Sequence, residues 1–243
     1  RSRGLGDVYK RQTLQAAVSI EGTMDFASNA GVAAQALAET LPFWKDLDET
    51  QRSRLAAATR LMRAHAGERI QGGGSECAGV IIALEGSLRA YMLSEGGKEI
   101  TLFRVEAGES CVLAASCILP MITFDIALDA AGDTEALVID PRFFSQLAQE
   151  SVAVEAFLYR QTAQRFSDCM WVMQQVLFSS FDARLATFLL DELSRTGSAR
   201  IAMTHDEIAR HLGSAREVVS RMLKYFEREG LVALSRGAGR HRR

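Results

Sequence analysis

The sequence predicts an α+β protein: an antiparallel β-roll with flanking helices, then a long helix, then a C-terminal pair of short helices. Three observations predict it. Between residues 67 and 139, short β-rich runs alternate with glycine-bearing turns, the pattern of an antiparallel roll or barrel. From 151 to 180 there is neither glycine nor proline, and apolar residues recur at helical spacing. Around Gly213, two short apolar-faced segments each open on Thr or Ser with Glu three residues later. The 243 residues hold two domains of ordinary size, and 48% hydrophobic against 24% charged residues excludes disorder as the main state.

Residues 1–12 (RSRGLGDVYKRQ) carry no period and are expected to be non-native read-through outside the fold. Residues 31–150 form the roll domain with its flanking helices. Ala33, Ala36, Leu37, Thr40 and Leu41 share one helical face, which Pro42 interrupts. Asp48 suits an N-cap, and Leu55, Ala58, Thr59 and Met62 keep helical spacing, so 31–64 reads as helical throughout. Beyond Gly67 come an extended Glu68–Gln71, a Gly72-Gly73-Gly74 turn, and strands at Ala78–Leu84, Leu88–Leu93 and Glu99–Arg104. Ile122–Leu128 and Thr134–Ile139 form a last pair around Ala131-Gly132-Asp133. Pro141 suits a first helical turn.

Residues 151–180 read as one helix. Tyr159, Thr162, Phe166, Cys169, Met173 and Val176 are spaced 3, 4, 3, 4, 3, a heptad seam. Two readings fit it: a buried core helix, or a homodimer through 151–180, which so long a rod favours. In 181–243, Thr204 with Glu207 and Ser214 with Glu217 read as two capping boxes, and Gly213 ends the first helix. Ile208, Ala209 and Leu212, then Val218, Val219, Met222, Leu223 and Phe226, supply the apolar faces. This is a helix-turn-helix, whose second helix can enter a DNA major groove. Arg216, Glu217, Ser220 and Arg221 stand at its N-terminal end: Arg can pair with guanine and Glu can accept from cytosine. Lys224 and Arg228 suit phosphates. Gly230 to Leu234 reads as the first strand of a wing.

The charge agrees once it is divided. The formal net charge is -2, but residues 181–243 hold 12 basic and 8 acidic side chains, leaving 16 and 22 for residues 1–180. A basic tail on an acidic body suits a polyanion partner. No window reaches the ~18 to 20 consecutive apolar residues of a membrane span, and no signal peptide core follows Arg11. Cys77, Cys111, Cys117 and Cys169 form no C-x-x-C pair and no metal-ligand spacing with His65, His205, His211 or His241. A cytoplasmic location is therefore expected. No enzyme is expected: no Ser, Cys or carboxylate constellation accompanies a histidine. Gly72-Gly73-Gly74 lacks the Lys-Ser/Thr of a phosphate loop, and Asp125, Asp129 and Asp133 read as solvated positions.

Over residues 35–236 the chain resembles the Crp/Fnr family of bacterial transcription regulators, most specifically in IARHLGSAREVVSRMLKYFEREGLV. The resemblance implies a cyclic-nucleotide-binding-like roll, a homodimer through the long helix, and a winged helix that binds a DNA operator. DNA-binding residues are then Thr204, Ser214, Arg216, Glu217, Ser220, Arg221 and Lys224. Where family members carry Glu-x-x-Ser-Arg, these residues read a TTGAT-like half-site; here they are Glu217, Ser220 and Arg221. RNA polymerase is a partner if the protein activates. The wing is expected to be truncated, since the family continues it beyond the position of Arg236. A ligand- or redox-sensing protein with a non-functional, wingless helix-turn-helix is the alternative.

The effector and any cofactor stay unknown at this level. Gly108-Glu109 matches the family's cyclic-nucleotide segment, but no Lys or Arg lies between Val105 and Pro141 to hold a phosphate. No cysteine precedes Cys77, against an iron–sulfur cluster of the family's type. Haem has conceivable ligands in Cys77 and His65 but no supporting spacing. Cys111, Cys117, Cys169 and Cys77 are the effector or redox candidates. Cys111 is the foremost, as a thiol expected near a short helix start, where the helix dipole lowers its pKa; the alternative is a small buried hydrophobe.

Overall fold

The computed structural model describes residues 26–27, 30–72, 78–113 and 126–235. Two antiparallel sheets form the roll. The first has the order β1 (Phe26–Ala27), β2 (Thr59–Ala64), β9 (Thr134–Ile139), β4 (Val80–Glu85), β7 (Ser110–Cys111). The second runs β3 (Arg69–Gln71), β8 (Ala127–Ala130), β5 (Ser87–Leu93), β6 (Glu99–Glu106).

Side chains alternate across a strand, and β4 shows what each face of the first sheet meets. Ile81 and Ala83 enter the core between the sheets, while Val80 and Ile82 enter a second core under the helices. On β9, Ala136 and Val138 take the first side and Leu137 and Ile139 the second. Both faces are covered, so these strands read as continuous apolar runs rather than as alternating ones. The β4–β5 turn needs glycine: Gly86 has φ 73°, and a Cβ there would lie 2.3 Å from the Asp133 carbonyl.

Helices α1 (Ala30–Thr40), α2 (Glu49–Ala57) and α3 (Pro141–Glu150) cover the first sheet. Phe43, in the loop after α1, packs edge-on against Phe144 and Phe157, with centroids 6.4 and 5.0 Å away. Asp48 caps α2 in a reciprocal box with Gln51, as its position in the sequence predicts. Pro141 opens α3, and Asp140 caps it by accepting from the Phe143 N–H at 2.8 Å.

The helical reading of 31–64 fails at its end. Residues 59–64 are strand β2, paired with β9 along all six residues. Met62 and Ala64 point into the roll, and the Thr59 hydroxyl donates to the Leu55 carbonyl at 2.7 Å where α2 stops. A three-residue step between two inward positions fits a helix as well as an irregular strand, and the long-range pairing decides.

Helix α4 (Val152–Phe178) has 27 residues, about 40 Å at 1.5 Å each. Ser179 and Ser180 alone separate it from α5 (Phe181–Thr196). Helices α6 (His205–Leu212) and α7 (Arg216–Arg228) follow. The predicted wing strand is not formed within its described part: 231–235 have no strand pairing, and the Leu234 N–H donates instead to the Glu227 carboxylate at 3.0 Å. Among the described residues no helix is long and apolar enough to cross a membrane.

Candidate nucleic-acid interface and the cleft behind it

A third apolar core holds the C-terminal helices together. Leu185 from α5, Ile208 and Ala209 from α6, and Val219, Leu223 and Phe226 from α7 are buried in it. The Thr204 hydroxyl accepts from the Glu207 N–H at 3.2 Å, and the Glu207 carboxylate accepts from the Thr204 N–H at 2.6 Å, so the first capping box is present. Gly213 ends α6 at φ 62°. The second box is absent. Ala215 is the N-cap of α7, without a side-chain bond. The Ser214 N–H is used one step earlier, donating to the Ala209 carbonyl at 3.0 Å to close α6.

With its apolar side fixed in this core, α7 turns its charged side outward. Arg216, Glu217, Arg221 and Lys224 are exposed and Ser220 is half-buried. They are spaced three and four apart, hence on one face. Thr204 is exposed at the start of α6, and Ser214 is half-buried in the turn. Arg216 Nε lies 3.8 Å from Asp206 of α6, a loose exposed pair.

On the roll side, a cleft of about 1080 Å³ separates β6 and the Gly108–Ser110 turn from α4, with Phe103, Gln164, Arg165 and Trp171 in its walls. Arg165 is buried. Its guanidinium lies over the Phe103 ring at 4.7 Å, pairs with Glu109 at 3.3 Å and Asp168 at 3.1 Å, and donates to the Ser110 carbonyl at 3.1 Å. The cation absent from the segment itself is thus brought to Glu109 from the long helix, 56 residues on.

The cysteine candidates fall differently. Cys111 sits in strand β7 opposite Ile81 and is fully buried, two residues before Leu113, which is in 3-10 conformation. Cys169 was expected on the heptad seam; it is half-buried against the roll core. Burial, then the Asp168 charge, pushes its thiol pKa up. Of the other seam residues, Tyr159, Phe166, Met173 and Val176 are exposed, and Met170 and Leu177 widen the exposed apolar stripe. Thr162 is half-buried, its hydroxyl donating to the Leu158 carbonyl at 2.8 Å. Cys77, Cys117, Asp125 and residues 1–12 lie outside the described residues. His65, conceivable as a haem ligand, is on the surface 3.4 Å from Asp133. Asp129 accepts from Arg69 at 2.9 Å and from the Tyr91 hydroxyl at 2.8 Å, so it is a structural acceptor rather than a solvated one. Among the described residues no three His, Cys, Asp or Glu side chains converge on a metal position.

Sequence reasoning missed Arg89, Arg104, Arg165, Glu192 and His211. These are charged or titratable side chains with little or no exposure, and no local pattern marks which surface charges another domain will cover.

A β-roll carrying a long helix and a helix-turn-helix with an open charged face defines a class, the DNA-binding transcription regulators. The Crp-like helix-turn-helix domain family matches residues 183–242. A crystal structure assigned as a transcriptional regulator of the Crp/Fnr family from Eubacterium rectale is 39% identical, covers 82% of this chain and 92% of its own, and superposes with a TM-score of 0.79. The transcriptional activator protein Anr of Pseudomonas aeruginosa is 25% identical over 162 residues, 63% of this chain and 65% of that protein, so the chain spans less than two thirds of it. The regulator Flp of Lacticaseibacillus casei is 23% identical over 197 residues, 80% of this chain and 89% of that protein. The chain belongs to the Crp/Fnr family and is a DNA-binding transcription regulator, not an enzyme.

Proposed function

We propose that the protein binds a palindromic TTGAT-like operator as a homodimer, one α7 helix per half-site, under control of a small effector held between roll and α4. The observation that carries this is the open face of α7: Glu217, Ser220 and Arg221 together at its start, over a packed core, with Lys224 a turn beyond. Arg221 and Glu217 suit base edges and Lys224 a phosphate. The exposed apolar stripe of α4 supports the dimer. RNA polymerase is the further partner if the protein activates.

The buried cation Arg165 and the nearby thiols Cys111 and Cys169 line or adjoin the cleft, so a small molecule, a gas or a redox signal remains the effector class. Burial of Cys111 and the raised pKa of Cys169 favour a bound small molecule over thiolate chemistry.

Gel shifts over a range of salt, with a TTGAT palindrome and a scrambled duplex, test the reading. Wild type is expected to prefer the palindrome and to lose affinity as salt rises. Arg221→Ala costs about 1 to 3 kcal/mol on the palindrome and relaxes one base position, while Lys224→Ala weakens both duplexes alike. Equal losses on both duplexes for both variants would remove the role assignment.

A further inference from the structure

The outer face of the second sheet carries a polar cluster for which DNA reading has no use. Arg104 points away from the roll core, and its Nη1 meets Glu192 of α5 at 2.6 Å. Both side chains are nearly out of water, at 15% and 6% exposure. Arg104 Nη2 donates to His211 Nε2 of α6 at 3.3 Å. Since Nε2 accepts, the ring proton is on Nδ1, which donates to the Thr101 hydroxyl oxygen of β6 at 2.8 Å. On β5, Arg89 pairs with Glu99 at 2.6 Å and donates to the Arg210 carbonyl at 3.3 Å, satisfying an acceptor in the last turn of α6. The turn at Gly213, whose φ of 62° favours glycine, packs against the Ile100 side chain. Burial, then the charges of Arg104 and Arg89, keeps His211 neutral, its pKa lowered to about 3.

The same strand also reaches the cleft. Arg165 donates to the Arg104 carbonyl at 3.5 Å while it holds Glu109 and the Ser110 carbonyl. Arg104 is therefore tied through its backbone to the cleft and through its side chain to the helix-turn-helix domain.

We propose that Arg104, Glu192 and His211 form a latch that seats the helix-turn-helix domain on the roll in its DNA-competent posture, and that β6 carries the state of the cleft to that domain. The docked posture is compatible with DNA: docking covers the end of α6 and leaves Arg216, Glu217, Arg221 and Lys224 exposed. The energetics suit a switch. The desolvation of a buried ion pair largely cancels its attraction, so docked and undocked states lie close in free energy. Removal of Glu192 strands Arg104, and removal of Arg104 leaves Glu192 to Arg195 alone, at 2.8 Å; either shifts the balance. Apparent operator affinity then falls with the docked fraction. This last step rests on the proposed operator binding; the latch itself does not.

The full-length chain and the variants Arg104→Gln, Glu192→Gln and the double R104Q/E192Q test it, by amide hydrogen exchange and by operator titration. Both single variants are expected to exchange faster in α6, in β6 and at Ser179–Ser180, with β4 and β9 unchanged as evidence that the roll is folded. The double variant strands neither member of the Arg104–Glu192 pair; Arg195, which also holds Glu192 at 2.8 Å, is 38% exposed and can turn to water, so part of the protection is expected to return. Operator affinity is expected to fall about tenfold in the single variants, the factor for a docked fraction near one tenth. Unchanged exchange in both single variants overturns the latch. Faster exchange with unchanged or higher operator affinity overturns the competent posture. Wild type that binds no palindrome removes the operator reading and the posture with it, and the exchange data still decide the latch.

Discussion

His211 is a residue whose neutrality has a measurable cost. Its pKa falls from 6.5 to about 3 because burial and the Arg104 charge disfavour the imidazolium. Below about pH 6.5 the unfolded or undocked chain takes up a proton that the docked histidine refuses. The stabilisation is therefore complete above pH 6.5 and is lost as pH falls towards 3. Urea unfolding midpoints at pH 7.5 and 5 are expected to drop more for wild type than for His211→Gln; equal drops would show that His211 is not the titrating group. At this scale the sequence is informative where the physics is local. Asp48, Thr204 and Gly213 act as read, because a cap needs only its own turn. Ser214 does not, because its N–H was already committed to closing α6. His211 could not be read at all, since its partners Thr101 and Arg104 lie more than 100 residues away.

Elements were legible wherever their period was unambiguous. The hairpin β4–β5, strand β9, and helices α3, α4, α6 and α7 stand close to their expected positions. The first stretch past Ala58 was not legible, because β2 exists only through its pairing with β9. On α4, Tyr159, Phe166, Met173 and Val176 lie exposed as a seam requires, but Cys169 packs against the roll, because only the folded roll shows which row it covers. The helical layer over the first sheet gives a direct test. Phe144 is fully buried between Phe43 and the strands. Phe144→Ala is expected to cost about 3 to 5 kcal/mol in chemical denaturation, transfer plus cavity. A loss under about 1 kcal/mol would mean that the layer closes over the gap.

The assembled molecule was the least accessible from the sequence, because the seating of one domain on another depends on side chains brought together only by the fold. The exposed row on α4 nonetheless makes a claim about assembly. Phe166, at 65% exposure, is expected to sit at the centre of the homodimer contact. Phe166→Asp should convert dimer to monomer in sedimentation at micromolar protein, with the far-ultraviolet circular dichroism retained. A dimer that persists would place the contact elsewhere.

The shortness of the Ser179–Ser180 connection has a mechanical consequence. With two residues between them, α4 and α5 cannot move far apart, so a change in the tilt of α4 is passed on rather than absorbed. A rod of about 40 Å tilted by about 10° carries its far end through roughly 7 Å, some two base-pair steps. The long helix is thus a lever: Arg165 stands halfway along it, so an adjustment of one or two ångströms there becomes roughly two to four at its tip, about one base-pair step between the reading heads of the proposed dimer.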